Sequence, residues 1–291
     1  MLDKKTLEII KDTFHIEEKE IQNIELQKAG MTNRSYTFEI RDKKYIIRTP
    51  GEGTDRLINR YEEANVYQAI MDKHISDTVC YINPENGIKI TEFIYNATNC
   101  NPYDKKQVKA CMDTLRSFHD MKLSVDHEFN IFDKINFYES LFETNDKADY
   151  ESTKKHVFEL KKYIDKQEKD FILCHIDSVC DNFLFTDKGI RMIDWEYAAM
   201  QDPHVDIAMF CIYSMLDRED VEDVIDAYFD HQCKEDVRIK IYCYISACGL
   251  LWSNWCDYKK KLGVDFEGYA QAQYQYARDY YEIVKSRGVL E

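Results

Sequence analysis

The period of the apolar residues changes once along this chain, and that change constrains its fold more than any other feature. Up to about residue 95, apolar side chains alternate with polar ones in runs such as IQNIELQKAG, SYTFEIRD and KYIIRTP. Alternation puts one face of each strand on a core and the other toward solvent. RDKK predicts a tight hairpin turn, and DTVCYINPENGIKITEFI a second hairpin turning at Asn83–Gly87. Residues 3–20 and 54–73 carry helical spacing among these strands. From Lys106 onward helical spacing dominates, in VKACMDTLRSFHDM, FYESLFE, TKKHVFELKKYIDKQ, DIAMFCIYSML, VEDVIDAYFDHQ, VRIKIYCYISACGLLWSNWCDYKKK and FEGYAQAQYQYARDYYEIVKS. One strand-rich island, residues 171–195, interrupts them. The expected class is α+β. A β-rich N-terminal lobe over residues 1–94 would hold a sheet of about five strands and an inserted helix. A mainly helical C-terminal lobe would fill residues 95–291.

The 291 residues exceed what one small core organises, which favours two packed lobes. With 9 glycines and 4 prolines the chain suits long helices better than a β-sandwich. A net charge of −15 repels nucleic acid and anionic membrane surfaces and admits a cationic ligand without penalty. The ten cysteines form no C-x-x-C pair, MLDKKTLEII has no secretory apolar region, and no apolar run has membrane-span length. Reduced thiols in a cytoplasm are the expectation.

The chemistry concentrates in the island. His175, Asp177 and Asn182 spell H-x-D-x-x-x-x-N between the apolar runs FILC and FLF, and MIDWEYA places Asp194 after a second apolar strand. Phosphoryl transfer asks a protein for little: a carboxylate beside the attacking hydroxyl and oxygen ligands for Mg²⁺. Asp177 is expected to orient or deprotonate the hydroxyl. Asn182 and Asp194 are expected to hold magnesium on the phosphates of ATP. His175 has no partner at metal-ligand spacing and is expected to brace the loop.

The island resembles the kinase-like fold of aminoglycoside phosphotransferases and choline/ethanolamine kinases. GMTNRSYTFEI, IDWEYAAMQDPHVDIAMF and LLWSNWCDYKKKLGVDFEGYAQAQYQYAR resemble segments of bacterial choline kinases, so the likeness runs from about residue 28 to near the end. The resemblance implies a two-lobed, protein-kinase-like molecule with ATP and Mg²⁺ as cofactors. It implies Asp177 as base, Asn182 and Asp194 as magnesium ligands, and Asp206 as a brace of the catalytic loop. It places Arg48 on the ATP phosphates, with Glu63 as its ion-pair partner and Glu62 as the alternative. Glu92–Ile94 would be a hinge offering backbone groups to adenine, and Thr32, Asn33 and Ser35 would cover the phosphates. Two departures stand out. There is no G-x-x-x-x-G-K-[ST] and the phosphate loop has only Gly30, so side chains would replace some backbone contacts; and the catalytic loop reads HIDSVCDN, where relatives often have a second polar residue after the His.

A quaternary ammonium offers no classical hydrogen-bond donor and is held by aromatic faces. Trp252 and Trp255 are three apart in an expected helix and so share a face. Tyr197 follows Asp194 by three residues, and Tyr269 lies in the C-terminal segment of the resemblance, which implies that these positions line a choline pocket. The expected activity is phosphorylation of choline. The alternatives are ethanolamine, whose ammonium can hydrogen-bond, an aminoglycoside-type acceptor, which would ask for more carboxylates, and a non-catalytic pseudokinase. Intact Asp177, Asn182 and Asp194 speak against the last.

Overall fold

The computed structural model describes residues 2–27, 33–51, 54, 57–142 and 147–290. The chain forms two compact units, Met1–Thr98 with Leu184–Tyr197, and Asn99–Phe183 with Ala198–Glu291. The expected division at 94/95 lies just short of the first crossing and does not include the return of Leu184–Tyr197 to the first unit.

In the first unit, α1 (Lys4–Phe14) precedes β1 (Gln22–Leu26), β2 (Asn33–Ile40), β3 (Lys43–Pro50), α2 (Arg60–Ile70), β4 (Val79–Asn83) and β5 (Ile88–Glu92). The described strands make a five-stranded sheet in the order β1-β2-β3-β5-β4, antiparallel throughout. Arg41 and Asp42 close the β2–β3 hairpin with φ of 49° and 66°, the left-handed pair that a two-residue turn between twisted strands needs. Gly87 closes the second hairpin at φ +66°, where a Cβ would also meet Pro50 Cγ at 2.6 Å. Phe38, Ile47 and Ile90 from the sheet pack with Ile10 of α1, all fully buried.

Two helices here are shorter than their periodicity. The stretch 3–20 stops at Phe14, because His15 turns left-handed at φ 52° and its N–H closes onto Lys11 O. Glu18–Glu20 then form only a short 3-10 turn. The stretch 54–73 begins its α-helix at Arg60, where the Asn59 side chain accepts the Tyr61 N–H, and ends at Ile70.

Past β6 (Thr98–Asn99) come α3 (Lys105–Asp120), α4 (Ile131–Ser140), α5 (Tyr150–Lys166), β7 (Ile172–Cys174), β8 (Phe183–Thr186), β9 (Gly189–Met192), β10 (Ala199–Gln201), α6 (His204–Tyr213), α7 (Arg218–Phe229), α8 (Glu235–Lys261) and α9 (Glu267–Ser286). FYESLFE is the end of a helix rather than a whole one: Asn130 caps the N–H groups of Phe132 and Asp133 and starts α4 six residues earlier than that run. β7 pairs antiparallel with β10, and β8 pairs with β9 in a three-stranded sheet with β6. α8 is the axis of the second unit, buried without a break from Ile239 to Cys256. Its polar groups are matched in place. Lys240 pairs with Asp202 at 2.6 Å, Ser246 Oγ donates to Ala277 O, and Asn254 donates to Tyr150 OH. Gly249 lets α9 come close: a Cβ there would lie 2.6 Å from Gln273 O and 2.9 Å from Ala277 N. Among the described residues, no helix is long and apolar enough to cross a membrane. All ten cysteines are free thiols.

Candidate active site

Strand β3 delivers Arg48 to the buried side of the first unit, 5 % exposed. Burying a guanidinium is costly unless it is paired. Its Nη2 donates to Glu63 Oε2 at 2.7 Å and its Nη1 lies 2.6 Å from Glu63 Oε1, an ion pair with one hydrogen bond to the first turn of α2. Glu62, the alternative partner, makes no such contact among the described residues. Burial alone would raise the Glu63 carboxyl, but Arg48 and then Lys89 outweigh it and hold it down at about 2. Burial works against the charge of Arg48 too, and the Glu63 and Glu196 carboxylates overcome it. Lys89, opposite Arg48 in the β3–β5 register, lies 3.7 Å from Glu63 and over the Tyr67 ring.

The hairpin that ends at Met192 brings Asp194 into this unit at φ +63°. Its carboxylate is partly exposed and lies 3.6 Å from Arg48 Nη1. Two residues further, Glu196 is buried and accepts from Asn33, Arg48 and Arg60. Burial and the neighbouring Asp194 charge raise its carboxyl, while Arg48 and Arg60 pull it back.

Asn33 and Ser35 sit on β2, Ser35 opposite Arg48. Thr32 lies outside the described residues. At the expected hinge, the Glu92 N–H donates to Thr78 O and the Phe93 N–H to Lys44 O. The sheet therefore consumes two of the three backbone donors of Glu92–Ile94. Tyr197 ends this unit, buried.

In the second unit the loop expected to be catalytic leaves β7 through His175 and Ile176. Ile176 holds φ +65°, a strained conformation for a β-branched residue. Asp206, in the first turn of α6, accounts for it. Its Oδ2 accepts the His175 N–H at 2.8 Å and its Oδ1 the Ile176 N–H at 2.7 Å, while Ser178 Oγ donates to Asp206 O. His119 of α3 lies against the same carboxylate at 2.9 Å and is held on its other side by Tyr228. His175 is buried beneath the loop, and its carbonyl accepts the Asp177 N–H.

Asn182 donates its amide NH₂ to Asp177 O at 2.8 Å and to Asp177 Oδ2 at 3.1 Å. Both bonds use the nitrogen, so the amide oxygen is what Asn182 can present to a cation. A carboxylate at Asp194 and an amide oxygen at Asn182 are hard oxygen donors, the chemistry that suits Mg²⁺ rather than a thiophilic metal. His119, Cys174 and Asp206 also cluster, but Asp206 is already engaged by two backbone N–H groups and His119, and Cys174 by carbonyls.

Trp252 and Trp255 share a face of α8 with ring centroids 5.8 Å apart, both buried. Tyr213 of α6 packs on Trp252 at 5.3 Å and Phe266 stacks on Trp255 at 5.7 Å. Trp252 Nε1 reaches Met209 Sδ, whereas Trp255 Nε1 is buried with no hydrogen-bond partner among the described residues. Tyr269 hangs from α9 with its buried hydroxyl likewise unpaired. Its phenol is raised well above its ordinary value by burial, then by Cys256 and the Asp177 carboxylate.

Arg48, Glu63 and Asp194 thus come together in the first unit, and His175, Asp177, Asn182 and Asp206 in the second. Arg60, Lys89, Glu196 and His119 escaped sequence reasoning. Glu196 carried no spacing signal: Asp194 turns left-handed at φ +63° and Glu196 lies in a turn after β9, so no strand period links the two. His119 looked like one more polar residue on an amphipathic helix.

Such parts belong to a phosphotransferase with an alcohol group as acceptor, built on a protein-kinase-like fold. A sequence model described as choline/ethanolamine kinase matches residues 24–278, and the chain belongs to that family. Protein LicA of Haemophilus influenzae is 28% identical over 259 residues, covering 83% of this chain and 75% of that protein. The crystal structure of choline kinase LicA from Streptococcus pneumoniae superposes with a TM-score of 0.83 at 30% identity, over 96% of this chain and 99% of that one. A structure of LicA in complex with AMP gives a TM-score of 0.81 at 30% identity, over 95% and 98%.

Proposed function

We propose that this protein transfers the terminal phosphoryl group of ATP to the hydroxyl of choline in the cytoplasm, giving phosphocholine. The observation that carries the choline assignment is the aromatic cluster of Tyr213, Trp252, Trp255 and Phe266, with both tryptophans buried and the other two rings half-buried. Aromatic faces are the chemistry that recognises a trimethylammonium group. The two LicA structures support the same acceptor and nucleotide class.

Asp177 accepts the proton of the choline hydroxyl as its oxygen attacks phosphorus. Asn182, by donating to Asp177, fixes the carboxylate rotamer for that role. Arg48, held rigid by Glu63, binds the phosphate oxygens, with Asn33, Ser35 and Thr32 over the phosphates and Glu92–Ile94 beside adenine. Asn182 and Asp194 would hold Mg²⁺, whose charge offsets that of the phosphates. Trp252, Trp255, Tyr269 and Tyr197 face the ammonium end of choline. His175 and Asp206 brace the loop.

The test is an ATP-consumption assay with choline, ethanolamine and a panel of aminoglycosides. Choline is expected to give the highest kcat/KM. An aminoglycoside or ethanolamine turned over more efficiently would overturn the acceptor assignment while leaving the reaction class intact.

A further inference from the structure

The functional proposal leaves Glu196 without a part, although few side chains of the first unit are so heavily engaged. One atom, Glu196 Oε2, accepts from Asn33 Nδ2 at 2.7 Å, Arg60 Nη1 at 2.9 Å and Arg48 Nη1 at 3.1 Å. The donors come from β2, the start of α2, and β3. Arg60 also donates to Glu63 Oε2 at 2.8 Å and to Asn33 Oδ1 at 2.8 Å, which closes the network. The Glu196 side chain is 2% exposed, so water cannot stand in for it.

The position of Asp194 gives the network its consequence. Arg48 Nη1 is 3.6 Å from Asp194 Oδ1, beyond hydrogen-bond length, and 3.1 Å from Glu196 Oε2. Two guanidiniums thus converge on Glu63 and Glu196 while a third carboxylate stands beside them. Without the Glu196 charge, Arg48 and Arg60 share a single buried carboxylate. Asp194 is then the nearest further anion, and a guanidinium bound to it competes with any cation. We propose that Glu196 is a positioning residue that holds the two guanidiniums off Asp194, keeping that carboxylate for the magnesium of Mg²⁺–ATP. This rests on the proposed Mg²⁺–ATP role of Asp194.

The experiment measures ATP binding by calorimetry with and without Mg²⁺ on the full chain, for wild type, Glu196→Gln and Glu196→Asp. In wild type, Mg²⁺ strengthens ATP binding. In Glu196→Gln that strengthening falls by about 10- to 100-fold, the usual loss for a residue supporting a metal ligand, while binding of ATP alone is kept. Glu196→Asp, with the charge on a shorter stem, recovers part of it. In steady state the Gln variant raises the KM for Mg²⁺–ATP and leaves that for choline unchanged. Unaltered Mg²⁺ enhancement in Glu196→Gln overturns the inference, as does equal loss of ATP binding with and without the metal, the mark of a merely structural role. Should the Gln variant not fold, an Asp variant that loses ATP binding equally with and without the metal overturns it. A wild type whose ATP binding ignores Mg²⁺ overturns the role given to Asp194 itself.

Discussion

Arg48 and Asp177 do different work, and their substitutions should separate it. Arg48→Lys keeps the charge against Glu63 but loses the planar fork that reaches Glu63 and Glu196 at once. Losing one charge-assisted hydrogen bond costs about 1.5–3 kcal/mol, which corresponds to a rise of roughly 10- to 100-fold in the KM for ATP. The KM for choline should hardly move. Steady-state kinetics with each substrate varied will check this, and an unchanged KM for ATP would remove Arg48 from the phosphates. Asp177→Asn keeps the shape of the loop and deletes the base. It should lower kcat by about 10²- to 10⁴-fold with ATP affinity retained. Turnover at the wild-type rate would show that Asp177 is not the base. Arg48 stood out through the resemblance to choline kinases, whereas Asp177 was legible in the spacing of H-x-D-x-x-x-x-N. Arg60 and Lys89 were not, because their roles depend on strand register and on the turn of α2, which places Arg60 beside Glu63.

Helices set the positions of the aromatic cluster. Gly249 lies three residues before Trp252 on α8, where α9 leaves no room for a Cβ. Gly249→Ala should destabilise the protein by about 1–3 kcal/mol through overpacking, measured by urea unfolding. It should also raise the KM for choline more than that for ATP. Unchanged stability would mean that α9 yields at no cost. At the start of α6, burial pushes His204 down to about 4, more than the Asp202 carboxylate pulls it up. With the folded value below the ordinary 6.5, the unfolded chain binds the extra proton first. The contribution is therefore complete above about pH 6.5 and disappears between about 6.5 and 4, up to about 3 kcal/mol. Unfolding free energies of wild type and His204→Gln at pH 7 and pH 4.5 should differ between the two pH values by part of that amount. An identical difference at both would refute it. Helix ends were the least legible feature at this scale. The left-handed turn at His15 and the cap at Asn59 override an apolar period that continues through them, whereas the cap at Asn130 starts α4 six residues ahead of the run FYESLFE.

For the molecule as a whole, the switch from period two to helical period anticipated the five-stranded sheet and the helical remainder, because each face of a strand or helix must match its burial. It could not show that Leu184–Tyr197 joins the first unit. That follows from contacts distant in sequence, such as the Met192 N–H donating to Ile75 O and Arg191 bonding to His74 O. Reaction class came from the catalytic loop and fold, while the acceptor depends on how aromatic rings pack, which a spacing of three residues only suggests. The most direct measurement is therefore kcat/KM for choline and for ethanolamine on wild type and on Trp252→Ala and Trp255→Ala. A desolvated cation–π contact is worth about 2 kcal/mol, so each substitution should raise the KM for choline at least about tenfold. The loss with ethanolamine should be smaller and the KM for ATP little changed. Choline use that survives both substitutions, or a loss shared equally by ATP, would make the tryptophans core packing and contradict the choline assignment.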